Sequence, residues 1–200
     1  MLEKEFMEYH NIYERILSNF YPSLNSTGFQ ERNLTVNFSK AYEKINSDKN
    51  IVSWFEFQFG EKRKEHIDCI IINETNKEIY LIESKRFVSP RKTDEIIKDI
   101  KRIKQIINDD NTYKERVKNI DSYHKRYGII LADVWIENTQ KREIFEKFKD
   151  EKFFSAKEFN ELDLYKNDFN YFTHEFDNGE YFRKSIKDEY ALLSFVWEIK

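Results

Sequence analysis

Apolar and polar positions alternate with two different periods along this chain, and the periods delimit its elements. Phe6, Tyr9, Tyr13, Ile16, Leu17 and Phe20 recur at helical spacing, so a helix is predicted over 3–20, with Pro22 limiting its extension. A loop over 25–28 leads to a second helix over 30–45, whose stripe is Leu34, Phe38, Ala41, Tyr42 and Ile45. Residues 51–59 alternate as a strand does. Strict alternation puts Trp54, Glu56 and Gln58 on one face and Phe55, Phe57 and Phe59 on the other. A charged turn over 60–65 follows. Two β-branched runs come next, Ile67 to Ile72 and Ile79 to Ile82, separated by the turn-like residues 73–77; they read as a β-hairpin. Ser89-Pro90 breaks the second strand. Thr93 is the expected cap of a helix to about Asn108, with Ile96, Ile100, Ile103 and Ile107 as its stripe, widened by Ile97 and Ile106.

Residues 111–125 are polar and fit either a further helix or a long loop. Residues 127–136 form the clearest buried strand, which follows a helix as a parallel crossover requires. An amphipathic helix over 139–148 comes after it. From Glu151 onward Phe and Tyr become dense. Asp177-Asn178-Gly179 signals a turn between strands over 170–176 and 180–186, and 190–199 reads as a final strand. The fold class predicted is α/β (α+β), a mixed central sheet flanked by helices. Residues 1–150 form its core, and 151–200 an aromatic-rich extension packed on the same domain. Core packing is the expected role of those aromatics.

Composition adds limits. Charged residues make up 36% and aromatics 16%, with four Gly and two Pro, a folded and not a disordered balance. The net charge of −3 makes any polyanion site a local patch. A single cysteine, Cys69, excludes an internal disulfide and reads as a small core residue in a reducing compartment. With no signal peptide pattern and no apolar run of spanning length, a cytoplasmic location without membrane contact is expected.

The hairpin carries the chemistry. Asp68 interrupts its first strand, and Glu83 and Lys85 end its second. With a four-residue loop over 74–77, Ile72 pairs with Ile79 and Asp68 lies opposite Glu83, with Cβ atoms roughly 5 Å apart. Lys85 shares the face of Glu83. Two carboxylates so close raise one pKa, unless a hard divalent cation such as Mg²⁺ or Mn²⁺ joins them. The bland alternative is a cross-strand Asp68–Lys85 ion pair. Glu31 lies in the first turn of the second helix, on its inward face, where a dipole role and a functional role are both open. From Lys85 to Lys104 eight Lys or Arg face three acids, a local charge of +5 that fits either a solvated helix face or an anion site. The four histidines show no metal-ligand spacing. Of these, His66, two residues before Asp68, could reach a phosphate.

The order helix, strand, strand with Ile67-Asp68, strand with Ile82-Glu83-Ser84-Lys85, helix, strand resembles the PD-(D/E)XK nuclease superfamily, which includes many restriction endonucleases. The likeness spans residues 30–136, and His66-Ile67 stands where that motif has proline. The resemblance implies a restriction-endonuclease-like core and a Mg²⁺-dependent endonuclease, with Mn²⁺ as substitute, cutting DNA in restriction or phage defence. It implies Asp68, Glu83 and the Ser84 carbonyl as metal ligands, with Glu31 as an added one, and Lys85 as the group that orients water or stabilises charge on phosphorus. Lys98, Lys101, Arg102 and Arg86 would contact phosphates. Glu56 ranks lower and has a structural alternative. RNA stays open as substrate, and cutting both strands with one such site implies a homodimer. The competing expectations are a non-catalytic nuclease-like module that binds nucleic acid or a protein partner, and an α/β domain whose ion pairs are only structural.

Overall fold

The computed structural model of the chain describes residues 2–20, 30–59, 65–87, 92–108, 117–118, 120–165, 168–176 and 189–199. The expected loop over 25–28, the charged turn at 60–64, the Ser89-Pro90 break, Arg91, residues 111–116, the Asp177–Gly179 turn and the strand over 180–186 lie outside them.

Two helices open the chain, α1 (Glu3–Asn19) and α2 (Glu31–Ile45), followed by β1 (Ile51–Phe59), β2 (Glu65–Asn73) and β3 (Glu78–Arg86). Then come α3 (Lys92–Asn108), a 3₁₀ turn (Ile120–Ser122), β4 (Lys125–Ile136), α4 (Thr139–Lys149), α5 (Ala156–Leu162), β5 (Phe169–Phe176) and β6 (Glu189–Glu198). The six strands form one mixed sheet in the order β1-β2-β3-β4-β6-β5. Only β3 and β4 run parallel, joined across the sheet by α3; the other neighbours are antiparallel. Helices cover both faces, giving the expected α+β class.

Each face has its own core. On one, Phe6, Tyr9, Tyr13 and Leu17 of α1 and Leu34, Phe38, Ala41 and Tyr42 of α2 pack on Cys69, Ile82, Ile129 and Leu192. These are the helical stripes of the sequence, less Phe20 and Ile45 at the ends of their helices, which are exposed, and with Ile16 only partly buried. On the other face, Ile96, Ile100, Ile103 and Ile107 of α3 pack on Ile70, Leu81, Ile130 and Leu193, together with Phe145 and Phe148 of α4 and Phe159 of α5. Burying Cys69 raises its thiol well above the usual range, so it behaves as core and not as a nucleophile. Among the described residues no helix is long and apolar enough to cross a membrane.

Three features differ from the pattern reading. α3 begins at Lys92, one residue before the Thr93 expected to cap it. The short α5 appears where no helix is predicted, started by a Ser155–Glu158 capping box. The alternation of β1 also breaks. Phe55 packs toward α1 and α2, whereas Phe57 and Phe59 pack toward α3, and the paired strand follows, with Cys69 on the first side and Ile67 on the second. The cause is Glu56, whose φ of 53° puts a left-handed residue inside the strand and resets the pleat.

Most of the described aromatic residues after 150 are buried in the core, with Tyr165 an exposed exception. β6 enters the sheet between β4 and β5 and pairs with β4 over Tyr127↔Glu198 to Ile136↔Glu189. Phe154, Phe169, Phe195 and Trp197 pack in tilted and edge-on contacts. The Trp197 ring lies against Gly128, where a Cβ would collide with it.

Candidate functional site

The hairpin loop fixes the register. With Glu74 to Lys77 in the turn, Asn73 pairs with Glu78 and Ile72 with Ile79, as far as Cys69↔Ile82. Continued by one residue, that register would set Asp68 opposite Glu83, as expected from the sequence, but the paired residues end at Cys69↔Ile82. There the ladder stops and the strands part. Two residues past Cys69↔Ile82 the Ser84 N–H would meet the Ile67 carbonyl. It donates instead to Asp68 Oδ2 at 2.7 Å, and the Ser84 hydroxyl donates to the same oxygen at 2.7 Å. The next N–H on that edge, Arg86, donates to Glu31 Oε1 at 2.9 Å. Two carboxylates therefore satisfy the donors that β2 leaves open. The N–H and C=O of one strand residue point the same way, so the Ser84 carbonyl is directed into the same opening.

Glu83 and Lys85 point to the α3 face, where they meet residues of that helix. Glu83 is 1% exposed. Arg102 Nε lies 3.2 Å from Glu83 Oε1, and Arg102 Nη2 contacts that oxygen as well as Asp99 Oδ1, the latter at 2.7 Å. Lys85 Nζ lies 2.9 Å from Asp99 Oδ2. The cluster is thus Asp68, Glu83 and Asp99 with Lys85 and Arg102.

Its electrostatics follow from burial and from an excess of acid. Burial, and next the charge of Asp68, push the Glu83 carboxyl up to about 8, with Arg102 opposing. Burial also raises Asp99, against the pull of Lys85 and Arg102. For Lys85, burial alone would lower the ammonium, but Asp99, aided by Glu83 and Asp68, lifts it above its usual value. Arg102 is raised in the same way by Glu83 and Asp99, against its own burial. Three carboxylates against two cations leave one negative charge in excess, and either a proton or a further cation relieves it. Among the described residues, hydrogen bonds to Asp68 fall on Oδ2 and those to Glu83 on Oε1. The donors left are Asp68 Oδ1, Glu83 Oε2 and the Ser84 carbonyl, an all-oxygen set that fits Mg²⁺ or Mn²⁺.

The other residues singled out from sequence are dispersed around this cluster. Glu31 holds the β3 edge at Arg86. The Arg86 side chain turns to the α1/α2 face, with Nε 3.8 Å from Asp133 Oδ2, and is mostly buried there. Burial raises Asp133 to about 7, against Arg86 and the Tyr190 hydroxyl, which donates to it at 3.1 Å. Lys101 pairs with Glu161 on α5, and Arg102 is committed to Glu83 and Asp99. Of the four basic groups expected at phosphates, Lys98 is the one that stands exposed. Glu56 and His66 sit on the β1 side of Asp68. Among the described residues, Glu56, His66 and Asp68 are the group of three whose ligand atoms lie within 4.8 Å of one another.

Sequence reasoning missed two acids. Asp99 entered only the charge count of the basic tract, although it lies three residues after Ile96 and four before Ile103, on the inward stripe. Asp133 is a lone carboxylate inside the apolar run of β4, a signal that was there to be read. Compared with known proteins, the chain matches no family model, no curated protein and no solved structure.

Proposed function

We propose that this chain is a metal-dependent nuclease that hydrolyses phosphodiester bonds in DNA, with Asp68, Glu83 and Lys85 at its centre. The observation that carries this reading is the buried Glu83, lifted to about 8 beside Asp68 at a parted strand end, with Lys85 on the same face. Perturbed carboxylates of this kind mark functional sites. A bound Mg²⁺ would polarise the phosphodiester and lower the pKa of an attacking water. Asp68, whose Oδ2 accepts from Ser84, and Glu83 would hold it, and the Ser84 carbonyl would be the third donor. Lys85 is raised, not lowered, so it stays an ammonium at neutral pH. It suits stabilisation of charge developing on the phosphoryl oxygens and not the role of general base. Asp99 fixes the direction of that ammonium. Lys98, exposed on the same helix, suits a phosphate contact.

A second reading has its own support. Lys85 and Arg102 already have carboxylate partners, as they would in a nuclease-like module that binds nucleic acid or protein without cutting it. Plasmid nicking separates the two. The purified chain should nick supercoiled DNA in Mg²⁺, stop when EDTA is added, and lose about 10²-fold or more in rate as Lys85→Ala. A chain that binds Mn²⁺ through Asp68 and Glu83 yet cuts neither DNA nor RNA is the binding module.

A further inference from the structure

We propose that Glu56, His66 and Asp68 form a second metal site, one that takes a divalent first-row transition ion of the Zn²⁺ type. It shares Asp68 with the cluster above but does not depend on the hydrolytic reading. The flanking pairs Phe55↔Cys69 and Phe57↔Ile67 put Glu56 across from Asp68 on the neighbouring strand. His66 is two residues before Asp68 on β2. His66 Nε2 lies 3.6 Å from Glu56 Oε2, and one ligand atom from each of the three residues falls within 4.8 Å of the others. Two donors about 2.1 Å from one ion in a tetrahedral arrangement sit about 3.4 Å apart, so the His66–Glu56 spacing is already close to that of a shared ion.

The donor set identifies the ion class. One imidazole nitrogen and two carboxylates suit zinc and its neighbours, whereas Mg²⁺ keeps its waters and favours oxygen. Asp68 is oriented by two hydrogen bonds from Ser84 on Oδ2, the kind of outer support that metal-ligating carboxylates have. Glu56 and His66 are exposed, so an ion has an entry path and water can complete its coordination. The left-handed backbone at Glu56 breaks the alternation of β1 at the residue that supplies the third ligand. His66 and Glu56 thereby acquire a shared role that neither has as a separate surface residue.

Cobalt is the probe, because Co²⁺ in a four- or five-coordinate protein site absorbs in the visible far more strongly than the hydrated ion. The metal-free full chain should bind one Co²⁺ with such a band, and Zn²⁺ should displace it while millimolar Mg²⁺ should not. His66→Gln and Glu56→Gln should each weaken Co²⁺ binding at least about tenfold. Both replace exposed side chains, so an unchanged urea transition without metal would show that the fold is intact. Glu83→Gln should keep the band while losing Mg²⁺-dependent cleavage, so the two sites can fail separately. The proposal is overturned if no band forms, if His66→Gln binds Co²⁺ as the parent does, if Glu83→Gln abolishes the band, or if Mg²⁺ displaces the ion. Any of these leaves Glu56 and His66 as an ordinary surface ion pair.

Discussion

The end of β3 carries a buried acid–base cluster on each face of the sheet, and the two are built differently. On the α1/α2 face, Asp133 has a hydroxyl from Tyr190 at 3.1 Å and a guanidinium no nearer than 3.8 Å. Among the described residues, Asp133 Oδ1 and Arg86 Nη2 are buried with no hydrogen-bond partner. A carboxyl so placed escapes its desolvation cost by holding a proton. On the α3 face, Glu83 and Asp99 are as deeply buried but are interlocked with Arg102 and Lys85 through several direct contacts. That face also opens at Asp68, where the strands part. The difference separates a loosely partnered acid–base pair from an interlocked cluster with one carboxylate in excess of its cations.

The largest effect should come from removing the basic partner on each side. Arg102→Ala removes a guanidinium bonded to both Glu83 and Asp99, leaves Lys85, among the described residues, as the one cation paired with buried Asp99, and should cost about 3 kcal/mol of unfolding free energy at neutral pH. Arg86→Ala should cost less, about 1–2 kcal/mol, because Asp133 takes up a proton and keeps Tyr190. Urea unfolding of both variants measures the gap, and equal losses would erase the distinction between the faces.

A smaller but more specific effect is the pH dependence. Glu83 is raised from 4.5 to about 8 and Asp133 from 3.8 to about 7. In both cases the folded chain holds the proton more tightly than the unfolded chain. Each group therefore stabilises the fold fully at pH below its unfolded value and progressively less as pH rises through those windows. Unfolding free energy should fall from about pH 5 to pH 8. Glu83→Gln should flatten the upper part of that slope, and Mg²⁺ should do the same in the parent chain. Asp133→Asn should flatten the part below about pH 7, where Mg²⁺ should have no influence. A slope insensitive to Mg²⁺ would put both faces in the same structural class.

The smallest effect concerns the exposed end of α3. Lys98→Ala should change unfolding free energy by less than about 0.5 kcal/mol. If that helix lies along DNA, the same change should lower the salt dependence of binding by about one unit in log–log slope, read from affinities across a salt series.

Much of this site is local and was therefore legible in the chain. The four-residue loop pins Ile72 to Ile79 and, by counting, Cys69 to Ile82, where the ladder stops one pair short of the expected Asp68 and Glu83. The isoleucine stripe likewise gave the inward face of α3. What escaped depends on non-local packing. No local pattern announces that β2 peels away after Cys69, because the Asp68–Ser84 contact that replaces the ladder joins residues 16 apart. Nor does any pattern announce that β6 inserts beside β4, a pairing across more than fifty residues at its nearest end. Arg102 was grouped with Lys98 and Lys101 by charge. Three residues separate it from Asp99, so helical geometry sends its guanidinium inward to Glu83 while Lys98 stays outside. Glu56 shows the remaining limit. A left-handed non-glycine residue within a strand has no sequence signature, yet it redirects every side chain that follows.

The central claim is that the open cluster at Glu83 takes a divalent cation in place of its proton. At pH 7 a carboxyl held at about 8 is mostly protonated, and a metal ligand must give that proton up. Mg²⁺ added to the weakly buffered chain should release close to one proton per ion bound, followed with a pH indicator against calorimetric binding. The same titration of Glu83→Gln should release none. Mg²⁺ binding without proton release in the parent chain, or equal release in Glu83→Gln, would contradict the account.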